Sequence, residues 1–271
     1  MSNPRPLTRR QLLTLAGGAV AAGAVGGCAS GSGPVQALPA DQVVLGLSSG
    51  PGYAPSIYWP LQSPALVVYG SGRILRAEQN TGLRAVPLAY TEATVDPLQV
   101  AQLVADGERR RVLQRDFGTP QVTDLGSSRV WLHGAGGRRE ASIYAFGESL
   151  DEYVSWFQRR NRQRLRSFLD DARGLVGDAG QPYVPERVVV LELRAYESSE
   201  KTTVRWPGPD PASFLHKPSG YARQAIACGE LTGQQAATVY GAARENPEQR
   251  WLVDGQTRVL AVNPLPIEIE C

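Results

Sequence analysis

The chain has 271 residues, 42% of them hydrophobic and 20% charged, with 29 Gly, 20 Pro and 3 Cys. This composition excludes collagen-like, coiled-coil, strongly disordered and disulfide-dense classes, and the length suffices for one large domain or two small ones. Three of the 28 basic residues (Arg5, Arg9, Arg10) lie in the first 27 positions, which hold no acid, so the rest carries 25 against 26 and is near neutral. A near-neutral body argues against bulk electrostatic binding to nucleic acid.

Residues 1–27 read as a targeting segment. Arg5 and the pair Arg9-Arg10 form a positive head, and Leu12 to Val25 is an apolar stretch diluted by Gly17, Gly18 and Gly23. That stretch is shorter than the roughly 20 residues a membrane-spanning helix needs. Thr8-Arg9-Arg10-Gln11-Leu12-Leu13 resembles the twin-arginine signal, an address for export of folded proteins. Val25-Gly26-Gly27-Cys28 resembles a bacterial lipobox, with Val25 where Leu is usual. The resemblance implies that Cys28 receives a diacylglyceryl group, becomes the mature N-terminus and anchors the protein in membrane lipid. Two or more acyl chains make a durable tether where one holds only marginally. Residues 28–40, rich in Gly, Ser and Pro, then read as a flexible linker, and 41–271 as the folded body.

Along the body, Ala65–Tyr69 and Arg73–Leu75 flank Gly70-Ser71-Gly72 and predict a hairpin. Leu83–Thr91 reads as a strand. Asp96-Pro97 places an N-cap before Pro at the first helical position, opening a helix whose apolar positions reach Val112 and Leu113, with Gly107 weakening its continuity. A second hairpin runs from Arg129–His133 to Glu140–Phe146. Ser149-Leu150-Asp151-Glu152 reads as a capping box for a long helix to about Val176. Arg187–Tyr196, almost continuously apolar, reads as a central strand. Thr232-Gly233-Gln234-Gln235 reads as another capping box, opening a third helix that stops near Asn246-Pro247, and Trp251–Val253 with Thr257–Val262 forms the third hairpin about Asp254-Gly255. A last strand is expected at Pro266–Glu270. Tight hairpins imply antiparallel pairing, so the fold class is α+β: hairpins in one or two sheets packed with about three helices, with a division into two subdomains near 177–186 left open.

With Cys28 acylated, Cys228 and Cys271 remain as an even pair in an oxidising compartment, which favours a disulfide closing a loop of about 44 residues. The stretch from Pro64 onward resembles a group of uncharacterised exported lipoproteins of high-GC Gram-positive bacteria. The residues that carry this are Val68-Tyr69-Gly70-Ser71-Gly72-Arg73, Asp116-Phe117-Gly118, Ala227-Cys228-Gly229 and Pro264-Leu265-Pro266 leading to Cys271. The resemblance implies a shared fold and the paired cysteines, and supplies no catalytic residue.

Local motifs for chemistry are sparse. No nucleophile elbow, zinc helix, P-loop or dinucleotide glycine fingerprint occurs. His133-Gly134-Ala135-Gly136-Gly137 is superficially similar to the oxyanion loop of some esterases but lies at a hairpin turn. Ser198-Ser199-Glu200-Lys201 fits S-x-x-K without its partner motifs, and His133 and His216 have no identifiable partner. No metal ligand set or cofactor motif is legible.

Two surfaces invite binding. On the second helix, Phe157, Leu165, Phe168, Leu169, Ala172 and Val176 fall on one side, with Arg159, Arg162, Arg166 and Arg173 opposite, an arginine face suited to anionic headgroups. Core packing is expected to explain Trp131, Trp156 and Trp251, whereas Tyr53, Tyr58 and Trp59, in an aperiodic Gly/Pro-rich stretch, offer a surface for a ligand or envelope polymer. These readings point to a lipid-anchored protein on the extracytoplasmic face of the membrane, with a non-catalytic binding or envelope-associated body. The alternative is an envelope hydrolase whose catalytic set comes from residues distant in sequence.

Overall fold

Strand β1 (Val43–Ser49) enters the middle of a sheet whose other strands come from both sides of it in space. In a computed structural model, which describes residues 37–50, 52–53, 61–78, 87–147, 150–177, 180–194, 203–217, 225–246, 250–265, 267 and 271, β1 pairs with β2 (Leu66–Tyr69) and β5 (Ser127–Gly134). With β3 (Arg73–Ala77), β4 (Tyr90–Thr94), β6 (Gly137–Tyr144) and the short β7 (Gln181–Pro182), they form an antiparallel sheet in the order β6-β5-β1-β2-β3-β4-β7. A second sheet, β10-β8-β12-β11-β9, contains β8 (Arg187–Leu193), β9 (Thr203–Arg205), β10 (Ala227–Thr232), β11 (Arg250–Val253) and β12 (Gln256–Asn263). Among the described residues its only parallel pair is β9 with β11. With the helices α1 (Pro97–Arg109), α2 (Trp156–Gly174) and α3 (Gly233–Glu245), the described residues form an α+β fold.

All three predicted hairpins form around their glycine turns. The strand expected at 83–91 lies at Tyr90–Thr94, and residues 83–86 are outside the described set. The expected strand 266–270 also falls outside it, except Ile267. Strands β1, β7, β9 and β10 are additions. The apolar run Val43-Val44-Leu45 is a usable strand signal, but Gly46 interrupts it.

The helix starts divide between agreement and correction: α3 begins where expected, after Thr232, but the Thr232 side chain makes no capping hydrogen bond, so no capping box forms there. Asp96 caps α1 through its carboxylate, which accepts from the Leu98 N–H at 2.9 Å. The helix ends at Arg109, and Arg111 at φ +50 turns the chain, so Val112 and Leu113 reach the core from a turn rather than a helix. Gly107 is a contact point, not a break: a Cβ there would lie 2.8 Å from the Phe168 ring of α2. Helix α2 starts six residues later than the expected box at Ser149. Its box is Ser155-Trp156-Phe157-Gln158, in which the Ser155 hydroxyl accepts from the Gln158 N–H and the Gln158 side chain accepts from the Ser155 N–H. Extended Val154 separates it from a 3-10 turn at Asp151–Tyr153.

Helices α1 and α2 cover one face of the first sheet, burying Val100, Val104, Leu165, Phe168 and Leu169 against Leu45, Val68, Ile74, Val130 and Leu132. On the second sheet, α3 packs Ala236, Val239 and Ala243 over Val188, Val190, Leu260 and the edge-to-face pair Trp206–Trp251. The first sheet's last strand ends at Pro182 and the second sheet begins at Arg187, yet both belong to one compact unit, Val35–Cys271. Ser63 donates to the Asn263 side chain, Tyr240 donates to the Leu88 carbonyl, and Leu265 packs against Val67, Leu75 and Tyr90.

Candidate functional site

The β5–β6 turn, one side of α1 and the segment Ala37–Gln42 enclose a cleft of about 240 Å³. Leu38, Pro39, Ala101, Val104 and Ala105 supply its apolar wall, and Gln42, Glu108 and His133 its polar groups. The Gln42 amide nitrogen lies 2.8 Å from His133 Nδ1. It also lies 3.2 Å from Nε2, so the amide N–H faces the edge of the ring, and which ring nitrogen accepts depends on the tautomer. Glu108 accepts the Gly136 N–H at 3.0 Å, and a Cβ at Gly134 would collide with the Glu108 carboxyl carbon at 2.3 Å. The glycine turn after His133 therefore serves to seat a carboxylate, which is a different use from an oxyanion loop. Among the described lining residues there is no hydroxyl, thiol or amine, so His133 and Glu108 stand without a nucleophile. The arrangement can enclose a small apolar body and hydrogen-bond one end of it. Gln42 and Glu108 escaped sequence reading because they join His133 from 91 and 25 residues away, with no shared motif.

The arginines of α2 do not form the expected outward face. Arg162 is wholly buried beside Leu165, Phe168 and Leu169, where its guanidinium donates to the carbonyls of Phe117, Gly118, Tyr144 and Ala145. Burial pushes its pKa down from the ordinary value, against the opposing pull of Asp151. Arg166 makes a forked ion pair with Asp151 and donates to the Phe146 carbonyl. Hydrogen bonding from Arg166 holds the Asp151 carboxyl below its usual range despite partial burial. Arg159 donates to the Asp151 and Glu152 carbonyls, and Arg173 pairs with Asp170. On a wheel of about 100° per residue, Arg162 lies as near the centre of the buried stripe as Phe168 does, so its hydrogen-bond partners decide its side.

The aromatic expectation is also corrected. Trp131 and Trp251 are buried, but Trp156 is 72% exposed and Phe157 50% exposed, because the late helix start leaves them on the first turn beyond the sheet-facing stripe. Tyr53 is 90% exposed, while Tyr58 and Trp59 lie outside the described residues, as do Arg9, Arg10, Cys28 and Ser198–Lys201. His216 is exposed, with Nδ1 near the Phe214 carbonyl, and its backbone bridges to Cys228. Cys228 and Cys271 form a disulfide, with Cα atoms 5.5 Å apart. Among the described residues no cluster of three His, Cys, Asp or Glu could hold a metal, and no helix is long and apolar enough to cross a membrane. Compared with models of protein families, with curated proteins and with solved structures, the chain matches none.

Proposed function

We propose that this protein is an envelope lipoprotein, exported through the Arg9-Arg10 signal and anchored by acylated Cys28 on the extracytoplasmic face of the membrane, where its α+β body binds rather than transforms a ligand. The observation that carries the tether is Val25-Gly26-Gly27-Cys28 at the end of a short apolar stretch with a basic head. The Cys228–Cys271 pair supports the same compartment independently, since disulfides persist where thiols are not kept reduced. Binding is favoured over hydrolysis by the cleft, which brings His133 and Glu108 to an apolar wall with no nucleophile among its described lining. Its ligand is small and largely apolar, with one group that accepts from or donates to the Gln42–His133 pair. Exposed Tyr53, with Tyr58 and Trp59 nearby in sequence, is a second surface for envelope polymer.

Growth with labelled fatty acid followed by membrane fractionation and native mass spectrometry tests the reading. The wild-type chain is expected to carry label, to sediment with membranes and to bring a small-molecule adduct with it, and Cys28→Ser to lose label and sedimentation together. An unlabelled wild-type chain overturns the tether, and a labelled chain with an empty cleft overturns the binding role.

A further inference from the structure

We propose that the exposed start of α2 is a second membrane contact: Tyr153, Trp156 and Phe157 enter the headgroup region of an anionic bilayer while Arg160 and Arg164 pair with its phosphates. The proposal rests on the lipid tether and adds an orientation to it. Tyr153 is 56% exposed, and with Trp156 and Phe157 it puts three large aromatic side chains into water within five residues. Trp156 and Phe157 lean edge-to-face on each other, ring centroids 6.1 Å apart. Contiguous exposed aromatics of this kind mark interaction sites, and Trp and Tyr are favoured at a membrane–water boundary because one end of each ring system is apolar and the other wet.

Charge identifies the partner. Arg159, Arg162, Arg166 and Arg173 are all engaged by carbonyls or carboxylates of the fold. Arg160 and Arg164 are exposed, have no hydrogen bond or ion pair among the described residues, and follow Trp156 one and two turns along the helix. The nearby acids offset this little: Asp151 is held by Arg166, Asp170 by Arg173 and Asp116 by Gln158, leaving Glu152 beside the aromatics and Asp171 farther along the helix as exposed carboxylates. The tether keeps the body close as well, since Ala37 follows Cys28 by nine residues, which extend to about 30 Å at most. A body held that close to phospholipid meets headgroups continually, and the free arginines are complementary to them.

The test uses the full acylated protein reconstituted in phosphatidylglycerol or phosphatidylcholine vesicles that carry a quencher on the acyl chains, with tryptophan emission as readout. Trp131, Trp206 and Trp251 are buried and screened from the quencher, and every variant carries Trp59→Phe so that Trp156 is the reporter. Quenching in phosphatidylglycerol, lost in Trp156→Phe, is expected. The docked-to-undocked ratio should fall about fivefold for each of Arg160→Gln and Arg164→Gln, and collapse in phosphatidylcholine. Quenching unchanged by Trp156→Phe, or equal in the two lipids, overturns the docking, as does a Trp156-dependent dimer in sedimentation, which would assign the patch to a second copy. A chain that carries no fatty acid and is not retained by vesicles refutes the tether; one that is retained without Trp156 quenching refutes the docking alone.

Discussion

Arg162 shows how one buried polar residue can be structural rather than functional. β6 ends at Tyr144 and Ala145 follows at φ +51, and the carbonyls of both accept from the guanidinium. Phe117 and Gly118 present two more carbonyls from the loop beyond α1. The planar guanidinium meets all four, and a lysine ammonium has neither the fork nor the reach to do so. Arg162→Met strands these acceptors in a region built from Leu165 and Phe168, and is expected to lower stability by about 3–5 kcal/mol in urea unfolding. Arg162→Lys should recover little of that loss. A lysine variant within about 1 kcal/mol of the parent would show that the fork geometry is unimportant.

Among the elements, β1 depends on a missing side chain. Gly46 lies directly opposite Trp131 of β5, and a Cβ on Gly46 would sit 2.0 Å from the indole ring. The ring covers the glycine and takes up the space between neighbouring strands, as aromatic residues do across from sheet glycines. In return, Trp131 is buried and its ring faces the Arg138 guanidinium at 5.2 Å. Gly46→Ala must push the indole off its seat at the centre of the first sheet. It should lower the urea midpoint by the equivalent of about 1–3 kcal/mol at unchanged slope. An unchanged midpoint would mean that Trp131 has free room to move.

At the scale of the whole molecule, the disulfide holds Cys271 to β10, across 43 residues of sequence, in the cluster with Leu61, Val189, Leu191 and Ala261. In the chain-entropy model a loop of this length contributes about 4 kcal/mol by restricting the unfolded chain. Cys271→Ser is therefore expected to lower stability by about that amount under oxidising conditions and to match the parent once both are reduced. Peptide mapping without reductant should recover a Cys228–Cys271 cross-link, and free thiols at both positions would contradict it. The cross-link acts on the second sheet. The first is tied to it by Ser63, Tyr90, Tyr240 and Leu265, whose contacts span segments far apart in sequence.

What the sequence determined by itself is whatever contiguous residues encode: glycine turns between apolar runs made the three hairpins, Asp96-Pro97 started α1, and their sum was an α+β fold. The cysteine pair was also legible, from parity and the expectation of an oxidising compartment. Ser149 and Ser155 head two successive box-like patterns, and only packing chose the second. The tertiary structure alone decided that Arg162 turns inward, that Trp156 and Phe157 face water, and that Gln42, Glu108 and His133 share a cleft. The reason is physical. Caps and turns are satisfied within a few residues, whereas the side a polar group takes depends on which distant backbone carbonyls lack partners.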